Sequence, residues 1–139
     1  MAVGIRQLGF FVSGGSRTVK VKTSELRGDA LDWATAKAEG LRLAIIDSEA
    51  MNITADGRVF HHVRFTEYWD ICGPLIEKYW VDLFQEGTDD NFIWYAKTPH
   101  LMGESECGET PQIAICRAVV ASLLGDEIEL PEGLANGLD

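Results

Sequence analysis

One segment of the chain specifies a complete helix, from its first residue to its last. Thr110 can act as the N-cap and Pro111 suits the first helical position, where a missing N–H costs nothing. Apolar residues then fill most of the helix circumference as far as Leu124, and the following Gly125 is typical of a helix end. We therefore predict a helix over residues 110–124 that other elements cover on more than one side.

The length and composition predict one small domain. The chain has 139 residues, which is ordinary for a single domain, and no apolar run reaches the ~18 residues of a membrane span. We assign residues 1–19 to an N-terminal extension, residues 20–131 to the domain and residues 132–139 to a flexible tail. Three cysteines without CxxC spacing, and no secretion signal, indicate reduced thiols in the cytoplasm of a cell.

Hydrophobic periodicity predicts an α+β fold, with two main helices packed on an antiparallel sheet. The main helices are expected at residues 29–39 and 110–124, and a shorter one near 74–84. Thr23 or Ser24 could cap the first helix, and Gly40 is expected just after its end. Strands are expected at residues 18–22, 41–46, 58–65 and 91–97, with a tight turn at Asp56-Gly57.

The net charge of −10 is distributed unevenly along the chain. After residue 103 there is one basic residue, Arg117, and eight acidic residues: Glu104, Glu106, Glu109, Asp126, Glu127, Glu129, Glu132 and Asp139. Such a surface repels phosphate, which argues against direct binding of nucleic acid. The acidic segment either maintains solubility or forms a docking face for a basic partner, and in the second case Glu127 and Glu129 should contribute to binding.

Three blocks of the sequence resemble phage NinX-type proteins and the related phage ABA-sandwich domain. The first block runs from Val21 to Ala34 and contains Thr23-Ser24-Glu25-Leu26, the second is Trp69-Asp70 followed by Gly73-Pro74, and the third begins at Trp94 and ends at Pro131. The resemblance implies an ABA-sandwich-like fold in a bacteriophage or prophage accessory protein, and it implies no activity. Cys72 replaces a glycine of the usual pattern, so a site built by that block in relatives would be altered here.

Arg117 is the residue that most strongly suggests a site. It lies among apolar neighbours in the predicted helix, and a buried guanidinium group must be paired because it cannot lose its proton. Asp70 and Glu77 are the partners we expect. The arrangement would be either a structural ion pair or a site in which Arg117 binds a carboxylate or phosphate group.

The other candidates are weaker. Trp69, Trp80 and Trp94 could line a pocket for a planar ligand or belong to the core. Gly73 precedes Pro74 and could present free N–H groups to an anion, or simply form a turn. The histidines His61, His62 and His100 have no partners at the spacing of a closed zinc site, so no metal or cofactor is expected.

No catalytic motif is present, and we expect a non-enzymatic binding protein. Its target would be a host protein or a small anionic ligand, and blunting of host defence is one role that fits. Two alternatives remain open: a small hydrolase that uses Asp70 or Glu77, and a structural homo-oligomer.

Overall fold

The computed structural model describes residues 17–46, 49–53, 59–60 and 63–135. Several sequence predictions lie outside these residues: the extension over residues 1–16, the turn at Asp56-Gly57, the pair His61-His62, and the last four residues of the tail, 136–139.

The described residues form eight strands and five helices. The strands are β1 (Thr18–Lys22), β2 (Arg42–Ile46), β3 (Glu49–Ile53), β4 (Val59–Phe60), β5 (Asp82–Thr88), β6 (Asn91–Lys97), β7 (Glu106–Gly108) and β8 (Glu127–Pro131). The helices are α1 (Gly28–Ala38), α2 (Trp69–Cys72), α3 (Pro74–Tyr79), α4 (Pro111–Leu124) and α5 (Glu132–Ala135), and short 3-10 turns lie at Thr23–Glu25 and Pro99–Leu101. None of the described helices has the length and apolar character needed to cross a membrane.

The predicted α+β class with antiparallel pairing is confirmed. The described strands form three separate antiparallel sheets, in the orders β1-β8, β2-β3-β4 and β5-β6-β7. The two long helices α1 and α4 pack against each other, and α4 also packs on β6 and β7. The main core lies between the helices and contains Leu31, Ile115, Val119 and Leu130, while Ala96, Ala114 and Ala118 form a smaller core between α4 and β6.

Helix α4 begins and ends where the sequence predicts. The Thr110 hydroxyl accepts the Ile113 N–H at 3.1 Å, and Pro111 occupies the first turn. At the other end Gly125 has a φ of 99°, a conformation that favours glycine. Thr23, which is distant in sequence, contacts this end of the helix: its hydroxyl donates to the Gly125 carbonyl at 2.6 Å. The last turn of α4 is thereby fixed to the beginning of the domain.

Helix α1 also matches its prediction, except at its N-terminus. Arg27 is the N-cap, whereas Thr23 and Ser24 belong to the preceding 3-10 turn. Gly40 has the predicted position after the helix, with a φ of 84°. The first helical turn therefore has no side-chain cap.

The prediction of a helix over residues 74–84 is wrong beyond Tyr79. Trp80 adopts the left-handed conformation with a φ of 55°, and Val81 donates its N–H to the Ile76 carbonyl at 2.9 Å. This geometry ends α3, and the chain then continues as strand β5. Leu83 has the spacing of a helical position, but it reaches the small core from this strand.

Strand β8 was not predicted, and it changes how the acidic segment is interpreted. Its pairing with β1 places Glu129 opposite Lys20 and Glu127 opposite Lys22. Opposite charges directly across an antiparallel pair are favourable, so part of the negative charge is compensated locally.

Because β1 starts at Thr18, the predicted boundary after residue 19 falls within a strand, and the predicted tail begins with α5.

Candidate functional site

Arg117 connects two parts of the backbone. Its Nε donates to the Leu26 carbonyl at 2.9 Å, and its Nη1 donates to the Cys107 carbonyl at 2.6 Å. The expected ion pair with Asp70 or Glu77 is not formed, since both carboxylates are exposed and Arg117 has these other partners. The guanidinium group therefore holds the segment before α1 and strand β7 against α4.

The surroundings of Arg117 are acidic. Partial burial lowers the pKa of Arg117, and the nearby Cys107, Glu106 and Glu109 oppose this shift. Burial raises the pKa of Glu106, although the positive charge of Arg117 works in the other direction. The Oε1 atom of Glu106 is buried and has no hydrogen-bond partner within the described part of the chain. A guanidinium group already bonded to two carbonyls and flanked by carboxylates is poorly suited to bind an anion.

The three candidate tryptophans occupy different environments. Trp94 is half-buried and packs on the small core beside Ala96. Trp69 and Trp80 are exposed, with 47% and 77% of their surfaces accessible. The rings are thus not brought into a common core.

Gly73 has a structural reason to be glycine. It ends α2 by donating its N–H to the Trp69 carbonyl at 2.8 Å. A Cβ atom at this position would lie 2.9 Å from the same oxygen. Since its N–H is already used, Gly73 does not offer this donor to an anion, and α3, which it precedes, is only six residues long.

A buried polar cluster beside α1 was not predictable from the sequence pattern. The Asp32 carboxylate accepts the Thr66 N–H at 2.8 Å, and burial raises the pKa of Asp32 to about 6. Cys72 and Cys116 are fully buried, and their hydrogen bond, together with burial, raises the pKa of the Cys116 thiol. A protonated, inaccessible thiol is a poor nucleophile. The cluster therefore joins α1 to the 63–67 segment through Asp32, and α2 to α4 through the two cysteines.

Helix α4 covers one face of the sheet formed by β5, β6 and β7, and the other face is open as far as the described residues show. Leu83, Trp94 and Ala96 belong to the covered face and pack towards α4. We call the open face the outer sheet face. In strands β5 and β6 it is formed by four register pairs: Asp82–Lys97, Phe84–Tyr95, Glu86–Ile93 and Thr88–Asn91. The Phe84 and Tyr95 rings are stacked with centroids 5.5 Å apart, and the Lys97 Nζ atom lies 3.9 Å from the Asp82 Oδ2 atom. The outer sheet face therefore combines aromatic surface with charge.

Negative charge predominates on the β5–β6 hairpin. Its residues 82–97 include four carboxylates, Asp82, Glu86, Asp89 and Asp90, and one basic residue, Lys97. All four acidic residues are exposed. This imbalance differs from the β1–β8 sheet, where the two glutamates of β8 lie opposite lysines.

A family model described as Bacteriophage P22, NinX matches residues 22–123. The chain belongs to this family. A comparison with curated proteins gives no significant match.

The resemblance to NinX-type proteins is thus confirmed. The matched segment contains α1, the β5–β6 hairpin and nearly all of α4. It also includes all six residues predicted for a ligand site: Trp69, Asp70, Gly73, Glu77, Trp94 and Arg117. The NinX description names a phage protein and no activity, so a functional hypothesis depends on the surfaces described above.

Proposed function

We propose that this NinX-family phage protein is a non-enzymatic binding protein whose target is a basic protein of the host, in the host cytoplasm. The observation that carries the proposal is the β5–β6 hairpin, where four exposed carboxylates accompany a single lysine and an aromatic pair. Charge of one sign steers the approach of an oppositely charged partner, and the half-buried Phe84 and Tyr95 rings offer the remaining part of their aromatic surface for the apolar contacts of an interface.

The hairpin fits this role better than the acidic C-terminal segment. Glu127 and Glu129 lie across the β1–β8 pair from lysines, whereas Asp89 and Asp90 form the exposed turn of the hairpin. We therefore expect the binding residues to lie in the hairpin and not in β8.

A small anionic ligand has less support, since the guanidinium group of Arg117 is bonded to the Leu26 and Cys107 carbonyls. The hydrolase alternative has no support from the structure, because Asp70 and Glu77 are exposed and receive no hydrogen bond from the described residues that would orient them.

The proposal is tested by purifying the tagged protein gently from infected host cells and recording native mass spectra. Two double variants form a matched pair: Asp89→Lys with Asp90→Lys, and Glu127→Lys with Glu129→Lys. We expect the wild type and the β8 variant to retain a basic host protein, and the hairpin variant to lose it.

Other results would contradict the proposal. A stable additional mass below ~1 kDa would indicate a small ligand instead. Loss of the host protein from the β8 variant alone would return the docking face to the C-terminal segment. A complex that contains only copies of this chain would favour the structural homo-oligomer.

A further inference from the structure

We propose that β5 is a docking strand, to which an extended basic segment of the partner adds as a further strand, with Trp80 packed against it. The inference rests on the proposed function and specifies its surface and its mode of binding. Strand addition uses main-chain hydrogen bonds for affinity and alternate side chains for specificity.

Among the described strands, β5 lies at an edge of its sheet, and this edge provides the template. The strand covers seven residues, Asp82–Thr88, and pairs only with β6 among the described strands. Within that part of the chain, no element other than β6 makes more than marginal contact with β5. Natural proteins usually shorten, bend, cover or charge such an edge because it exposes unpaired N–H and carbonyl groups, and β5 carries charges at Asp82 and Glu86. No proline interrupts this one.

The charge of β5 selects the occupant. Its charged residues are Asp82 and Glu86, and Asp89 and Asp90 follow in the turn. A second copy of the chain would add the same carboxylates to this edge, and like charges brought close together repel one another. A partner strand that carries lysine or arginine at alternate positions would instead place its cations beside the carboxylates.

Trp80 is the independent observation that points to a partner. It lies two residues before β5, has a φ of 55° and is 77% exposed. The left-handed conformation is unfavourable for a large side chain, and exposure leaves the indole ring without the stabilisation of burial. The fold would thus be served better by glycine at this position. Tryptophan is enriched among the residues that dominate the binding energy of protein interfaces. A role at an interface would therefore explain an exposed tryptophan on a strained backbone.

The test uses the full chain and a seven-residue probe peptide of alternating lysine and valine, Lys-Val-Lys-Val-Lys-Val-Lys. A matched peptide is methylated on alternate backbone nitrogens, which removes hydrogen-bond donors but keeps the charge. Binding is followed by NMR of the amide groups and by amide hydrogen exchange. We expect the unmethylated peptide to shift and protect amides of residues 82–88, and the methylated peptide to bind at least ~10-fold more weakly.

Two glycine variants separate binding from folding. Trp80→Gly should weaken peptide binding by about 10-fold while the protein remains folded, because it relieves the left-handed strain. Met102→Gly is the matched control, since Met102 also has a left-handed backbone, with a φ of 53°, and is 88% exposed. This variant should bind the peptide as the wild type does.

The outcomes distinguish the inference from the proposed function. Equal binding of both peptides, or protection spread over other acidic surfaces, would show simple charge attraction and overturn the docking strand. A host protein retained equally by the wild type and Trp80→Gly, with β5 amides unprotected in the complex, would overturn it while leaving the proposed function intact. A pairing of β5 with a second copy, detected as protection that depends on protein concentration, would also overturn it.

Discussion

The Asp32 carboxyl group lies on the buried side of α1 and makes the stability of the domain depend on pH. Its pKa rises from 3.8 to about 6 in the folded protein because burial disfavours the charged form. The folded state therefore holds this proton more tightly than the unfolded state does. We expect the contribution of Asp32 to be most favourable below about pH 4, to fall by roughly 2–3 kcal/mol as the pH rises through 6, and to level off above about pH 7.

Asp32→Asn tests this assignment, because asparagine keeps an oxygen that can accept the Thr66 N–H. The free energy of unfolding should be measured by urea denaturation between pH 4 and pH 7.5. The decline seen in the wild type should be smaller in the variant, and parallel pH profiles would contradict the raised pKa. Asp32→Ala serves as a control for the hydrogen bond: it should also lack the pH-dependent decline, and it should be about 1–3 kcal/mol less stable than Asp32→Asn at every pH.

Arg117 is expected to be structural, because its two hydrogen bonds join Leu26 and Cys107 to α4. Hydrogen bonds from a charged donor are each worth about 1.5–3 kcal/mol, and lysine cannot reach both carbonyls with one planar group. Arg117→Lys should therefore lower the free energy of unfolding by about 2 kcal/mol in a urea titration. Inorganic phosphate should have the same small effect on the wild type and the variant. A selective stabilisation of the wild type by phosphate would restore the anion site.

At the level of elements, the close approach of β7 to α4 depends on Gly108. A Cβ atom there would lie 2.7 Å from the Ala114 nitrogen and 2.7 Å from the Ile113 Cγ2 atom. Gly108→Ala should force these elements apart and cost about 1–3 kcal/mol, measured by thermal and urea unfolding. Gly133→Ala is the matched control, since nothing lies within 4 Å of its Cβ position. Equal stability of the two variants would contradict the packing described here.

The elements also show which signals the sequence carries. Helix α4 was predictable because Thr110, Pro111 and Gly125 mark its ends locally. Strand β5 was not, because most of its residues are exposed, so it lacks an alternating apolar pattern and Leu83 fits a helix equally well. The partners of Arg117 escaped prediction since they are main-chain carbonyls, which no residue type reveals. Nothing in the sequence distinguishes Asp32 from a surface charge, because its partner is the main-chain N–H of Thr66, which is distant along the chain.

At the scale of the whole molecule, a net charge of −10 on 139 residues predicts self-repulsion in the folded state. Raising sodium chloride from 10 mM to 150 mM shortens the screening length from about 30 Å to about 8 Å. The repulsion among exposed carboxylates should weaken accordingly. We expect the melting temperature to rise by roughly 3–5 °C, equivalent to about 1 kcal/mol for a domain of this size.

The hairpin provides the variant that tests where this repulsion arises. Replacing Asp89 and Asp90 together with asparagine removes two adjacent negative charges from the exposed turn without altering side-chain size. The double variant should melt higher than the wild type at 10 mM salt and gain less from added salt. A melting temperature that falls with salt would instead mean that attractive pairs such as Lys78–Glu39, 2.9 Å apart, outweigh the repulsion. An unchanged salt response in the variant would place the repulsion elsewhere and weaken the case for the hairpin as the acidic docking surface.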